Sequence, residues 1–149
     1  MLLSSGFLVE KGMAKKREHV EVTTAIHEKD HLRRRLLHEQ GGTFGVRGIS
    51  VDKKTKKIIS NPVVVNGNEP IDWLASKIRD IIAKKNTIAY PKNTVLIVEC
   101  HPESLILEWE WNDVVDKLRN PGIEHRFAEV FLYEPVGRLT ATLYPLRKD

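Results

Sequence analysis

The sequence predicts an α/β fold built on a mixed sheet, in a two-layer or three-layer arrangement with helices flanking the sheet. Three observations predict it. Ile71, Leu74, Ile78, Ile81 and Ile82 form an amphipathic stripe at helical spacing. Thr94 to Cys100 is a continuous apolar run of the kind buried on both faces of a parallel sheet. Strand-like segments come in pairs toward both ends of the chain, while strands and helices alternate between them. At 149 residues and 41% hydrophobic, the chain buries one substantial core rather than two, so residues 1–149 are expected to form a single domain.

The first expected elements are Phe7 to Glu10 and His19 to Thr24, two β-rich runs joined by a Lys-rich, Gly-containing loop in the manner of a hairpin. From His27 to Gln40, Leu32, Leu36 and Leu37 recur at helical spacing, and Gly41-Gly42 supplies the stop. Val46 to Val51 and Lys57 to Val65 are β-branched segments around the polar turn Asp52 to Lys56, and Pro62 puts the second at an edge. The Ile71–Ile82 stripe makes the second helix, with Asn68 as cap and Pro70 in the first turn. Thr94 to Cys100 is expected mid-sheet. Trp111, Val115 and Leu118 mark a third helix closed by Asn120-Pro121-Gly122. Phe127 to Tyr133 and Arg138 to Tyr144 follow as two strands across the turn sequence Glu134 to Gly137.

Charged residues make up 30% of the chain and the mean hydropathy is −0.33, a folded, water-facing balance. No apolar run approaches the roughly 20 residues that span a bilayer, and Met1 to Gly6 has neither the charged nor the apolar region of a signal peptide. A cytoplasmic protein without membrane partners is expected. Met13-Ala14-Lys15-Lys16 would itself make a natural start, so residues 1–12 read as an extension or a remnant of something longer. The single cysteine, Cys100, excludes an internal disulfide and reads as a buried strand residue.

The formal net charge of +4 is unevenly spread: residues 1–60 hold 13 Lys and Arg against 7 Asp and Glu. Lys15, Lys16 and Arg17, then Arg33 and Arg34, then the lysines at 53–57 form a phosphate-binding face if the fold brings them to one side. Taken singly, each run reads as a solvated turn or helix face. Glu99 to Asp116 is acidic, with no Lys or Arg, and suits solvent or a protein partner. Trp73, Trp109 and Trp111 read as core or interface residues rather than base-stacking platforms.

Gly41 to Gly45 lacks the following Lys-Ser/Thr of a phosphate loop. His27, His31 and His38 lie on or near one helix, where His27 and His31 at i, i+4 could share a metal; set among Arg and Lys, they read as exposed polar residues. Glu21 stands out. Period-two geometry puts His19, Glu21 and Thr23 on one face of their strand and Val20 and Val22 on the other. A carboxylate so placed, facing a second one, is a means of holding Mg²⁺ for phosphodiester hydrolysis, although on spacing alone a surface glutamate is the commoner case.

A hairpin ending in Val20-Glu21-Val22-Thr23 before a helix resembles PD-(D/E)XK nuclease-like proteins whose last motif reads Glu-Val-Thr. Thr94 to Glu99, the Trp-bearing helix, Ala128 to Tyr133 and Leu143-Tyr144-Pro145 are similar to the closing elements of uncharacterised members of that group. The resemblance implies a restriction-endonuclease-like fold that hydrolyses DNA or RNA with Mg²⁺, or a catalytically degenerate relative. It implies that Glu21 is the acidic metal ligand and that Thr23 stands where the catalytic lysine belongs, without its charge. The earlier aspartate falls at Ser5 or Gly6. Glu10 or Glu99 would replace that carboxylate, and Lys15, Lys16 or Arg17 the missing cation. The alternative is a non-enzymatic module binding nucleic acid through the basic half, or a protein, including a second copy as a homodimer, through a sheet edge.

Overall fold

The computed structural model describes residues 19–146. Four strands form the main sheet: β1 (His19–Ala25), β4 (Thr94–Cys100), β5 (Glu129–Glu134) and β6 (Leu139–Leu143), in that spatial order. β1 and β5 flank β4 in parallel, and β6 returns antiparallel to β5. A separate antiparallel pair, β2 (Ile49–Val51) and β3 (Ile58–Ser60), lies between two helices, α1 (Asp30–Gln40) and α2 (Glu69–Asn86). The third helix, α3 (Glu108–Arg119), connects β4 to β5.

The mixed α/β architecture is the one the sequence predicts, and β4 is buried between two parallel neighbours as its apolar run requires. Parallel crossovers are right-handed, so two successive crossovers advancing the same way across a sheet deliver their helices to one face. α2 and α3 do this. Their stripes, Ile71–Leu74–Ile78–Ile82 and Trp111–Val115–Leu118, join Leu96, Val98, Val130 and Leu132 in the larger apolar cluster. On the opposite face Val95, Ile97 and Phe131 make a smaller cluster, with Val20 and Val22 packed on it. The period-two reading of β1 is therefore correct.

Several expected boundaries move. Phe7 to Glu10 lies outside the described residues, and β1 pairs in parallel with β4. The helix expected from His27 starts at Asp30 and stops where Gly41 turns left-handed, with φ of 73°. Leu36 is buried there, whereas Leu37 is exposed.

The strand expected from Val46 begins as a 3₁₀ turn over Val46–Gly48, and its partner ends at Ser60 before Pro62. Gly48 explains the tight entry: a Cβ there would lie 1.8 Å from the Asn61 carbonyl oxygen. Asn68 occupies the cap position of α2 without a side-chain bond. On α3 the Glu110 carboxylate performs that task, accepting from the Leu107 N–H at 2.7 Å.

The outer strand of the sheet is tied down by α3. Trp111 Nε1 donates to the Thr140 carbonyl at 3.2 Å, and Arg119 Nη2 to the Thr142 carbonyl at 3.0 Å. Cys100 is fully buried, and burial pushes its thiol up to about 12. No helix among the described residues is long and apolar enough to cross a membrane.

Candidate functional site

The described residues gather ionisable side chains at two places, toward opposite ends of the parallel strands. The first is built on β1. Glu21 pairs with Leu96 in register and so shares the face that α2 covers, together with Thr23 opposite Val98. α2 runs back along this face, and its last turn brings Lys85 to Glu21, with Nζ donating to Oε1 at 2.5 Å. Both side chains are about three-quarters buried.

The Lys85 hydrogen bond is the main reason the Glu21 carboxyl lies below the ordinary range. Burial opposes it, while the lysine charge, a Tyr90 hydrogen bond and the nearby His19 reinforce it. The Lys85 ammonium is correspondingly raised, by the Glu21 hydrogen bond first and its charge next, against burial. Beside Tyr90 a cavity of about 280 Å³ is lined by Lys92 and Arg126.

The sign of the resulting pH dependence follows. Glu21 is more acidic folded than unfolded, so its stabilisation is present above the ordinary value of 4.5 and is lost as pH falls through the lower folded value. For Lys85 the contribution is present below the ordinary 10.5 and is lost as pH rises through the folded one. Urea unfolding of wild type and Glu21→Gln is expected to show a stability gap that narrows as pH falls below the ordinary value of 4.5. A gap constant across that range would mean that the pair contributes nothing.

The second gathering lies at the carboxyl ends of β1, β4 and β5, where loops enclose a cleft of about 280 Å³. The Glu103 side chain is 7% exposed, and its Oε2 accepts from Arg47 Nε at 2.7 Å. Arg47 also reaches Glu69 from the start of α2. His27 Nε2 stands 3.4 Å from Glu103 Oε1, too poorly aligned for a hydrogen bond. The His27 ring stacks on Trp73, with centroids 5.5 Å apart.

Asp30 carries both Arg33 and Arg34 at 2.6 Å. Its burial favours the neutral acid, but the two guanidiniums outweigh this and hold the carboxyl below its ordinary value. His101 pairs with Glu99 at 2.8 Å.

No protein-family model matches the chain, no curated protein matches it, and no solved structure matches it.

Of the residues expected at a site, Glu21 and Thr23 share the predicted face, while Glu10, Lys15, Lys16 and Arg17 lie outside the described residues. Arg33 and Arg34 flank the far cleft, with part of their charge spent on Asp30. Glu99 engages His101. His27 is a correction: it is not an exposed polar residue, because its side chain is 11% exposed between Trp73 and Glu103.

Lys85 was the residue sequence reasoning missed. A signal existed, since Lys85 continues the buried stripe at i+7 from Ile78 and i+4 from Ile81, which aims it at the sheet. Glu103 gave none, being one acid in an acidic stretch.

Proposed function

We propose that this chain is a nuclease-like α/β domain of the PD-(D/E)XK, restriction-endonuclease-like type, acting on the phosphodiesters of DNA or RNA with Mg²⁺, and that Glu21 and Lys85 are its acid and its cation. The observation that carries this reading is the contact of Lys85 Nζ with the Glu21 carboxylate. Thr23 offers no positive charge at the position where the resemblance places a lysine, and Lys85 supplies one from the neighbouring helix. Held protonated by its partner, Lys85 can stabilise the charge that builds on a phosphate under attack. Lys92 and Arg126 in the adjoining cavity suit the flanking phosphates.

Mg²⁺ bound at such a site supplies an activated water. Among the described residues no group of three ligating side chains surrounds Glu21. The further carboxylate assigned to the metal is Glu10, outside the described residues. Glu21 thus provides a hard oxygen ligand of the correct kind, and its Oε1 is shared with Lys85.

The experiment is cleavage of single- and double-stranded DNA and RNA with Mg²⁺ or Mn²⁺, by wild type, Glu21→Gln and Lys85→Met. Each substitution is expected to lower the rate by about a hundredfold or more. Equal rates in all three proteins would remove the pair from catalysis.

A binding module without hydrolysis is the second reading, and the same salt bridge favours it, because Lys85 already neutralises the carboxylate. It predicts no cleavage by wild type. Nucleic-acid affinity should then fall steeply with salt, by about one counterion per phosphate contact.

A further inference from the structure

The cleft at the carboxyl ends of β1 and β4 is independent of the Glu21 pair. We propose that it binds a small phosphorylated polyol, gripping a hydroxyl between Glu103 and His27 and the phosphate on Arg33 and Arg34. The location is where open α/β sheets collect ligands, outside the carboxyl ends of parallel strands.

The hydroxyl end follows from two atoms. Glu103 Oε1 is buried and has no hydrogen-bond partner among the described residues, while Oε2 of the same carboxylate is committed to Arg47. A buried carboxylate oxygen left unpaired is costly, so this one is an acceptor that a ligand donor would satisfy.

His27 Nδ1 accepts from the Lys29 backbone N–H at 3.1 Å, which assigns the ring proton to Nε2. Nε2–H is then a donor 3.4 Å from that acceptor. A hydroxyl fits this pair, because it can donate to Oε1 and accept from Nε2–H at once. A ligand ammonium would satisfy Glu103 but set its hydrogens against Nε2–H. A ligand carboxylate would be repelled by Glu103.

The anionic end follows from charge. Asp30 holds two guanidiniums with one carboxylate, which leaves that trio with one positive charge, while Glu103 and Glu134 are the acids elsewhere in the lining. Neither Nη group of Arg34 has a partner among the described residues, and its side chain is 66% exposed. Paired guanidinium edges match the oxygens of a phosphate. Ile26 and Leu105 give the cleft apolar wall between the two ends. Hydroxyl and phosphate on one small molecule describe a sugar phosphate, either free or as the ribose phosphate of a nucleotide.

Calorimetric titration of the whole chain with ribose 5-phosphate, AMP, ribose and inorganic phosphate tests the proposal. Saturable binding of ribose 5-phosphate or AMP is expected, with ribose and phosphate alone weaker by about tenfold or more. Equal binding of the first two identifies the free sugar phosphate as sufficient, and tighter AMP binding identifies the nucleotide.

Arg34→Gln, at an exposed helix position, and Glu103→Gln are each expected to weaken binding by about tenfold. Thermal melting establishes that both variants are folded. Absence of saturable binding by both phosphates, or wild-type affinity in the folded Arg34→Gln protein, would overturn the proposal.

Discussion

Truncating Trp111 to alanine is expected to destabilise the protein by about 3–5 kcal/mol, the range for deleting a large buried aromatic side chain. Trp111 is 3% exposed and belongs to the larger cluster, which joins residues of the sheet to those of α2 and α3. Its indole also donates to the Thr140 carbonyl. Trp111→Phe keeps most of the ring volume and loses that bond, so it should cost about 1–2 kcal/mol. Urea denaturation of the three proteins separates the two contributions. If the phenylalanine variant proved as unstable as the alanine one, the hydrogen bond rather than the packing would dominate.

The next largest loss is expected at Glu134, which closes the β5–β6 turn. The residue is 1% exposed, and its carboxylate accepts from the Val136 and Gly137 backbone N–H groups at 3.0 and 2.5 Å. A charged acceptor serving two backbone donors anchors the turn more firmly than neutral bonds do. Glu134→Ala leaves both donors without that partner and should cost about 2–4 kcal/mol, reduced by the relief of a buried charge. Thermal melting measures the total, and amide exchange at residues 136 and 137 locates it. Undiminished protection there would show that the carboxylate does not hold the turn. A Cβ on Gly137 would lie 2.9 Å from Glu134 Oε2, so the glycine is part of the same fitting.

What the sequence disclosed tracks the range over which each structural rule acts. The α2 stripe was legible because helical periodicity is local and eighteen residues long. β4 was legible because burial on both faces leaves no polar alternation. The β2–β3 pair is shorter than expected: the β-branched residues of Val46 to Val51 and Lys57 to Val65 favour strand throughout, whereas the ladder ends at Ile49 and Ser60, where the 3₁₀ turn over Val46–Gly48 adjoins one strand and Pro62 follows the other.

The partner of β1 was not legible at all, since it lies in the second half of the chain. The sites divide in the same way. The face on which Glu21 stands follows from a period of two, but its lysine lies 64 residues away. The closeness of His27 and Glu103 likewise depends on which strand β1 joins.

The pairing of His19 with Thr94 has a consequence for when the molecule becomes competent. β4, α3, β5 and β6 are consecutive in the chain and close short loops, whereas β1 must return across α1, the β2–β3 pair and α2. Loop-closure entropy and contact order favour the consecutive unit forming first and β1 docking last. Glu21 is carried by β1 and meets Lys85, and His27 follows β1 and meets Glu103. Both gatherings are therefore complete only with β1 in place, and whatever detaches that single strand would dismantle them together.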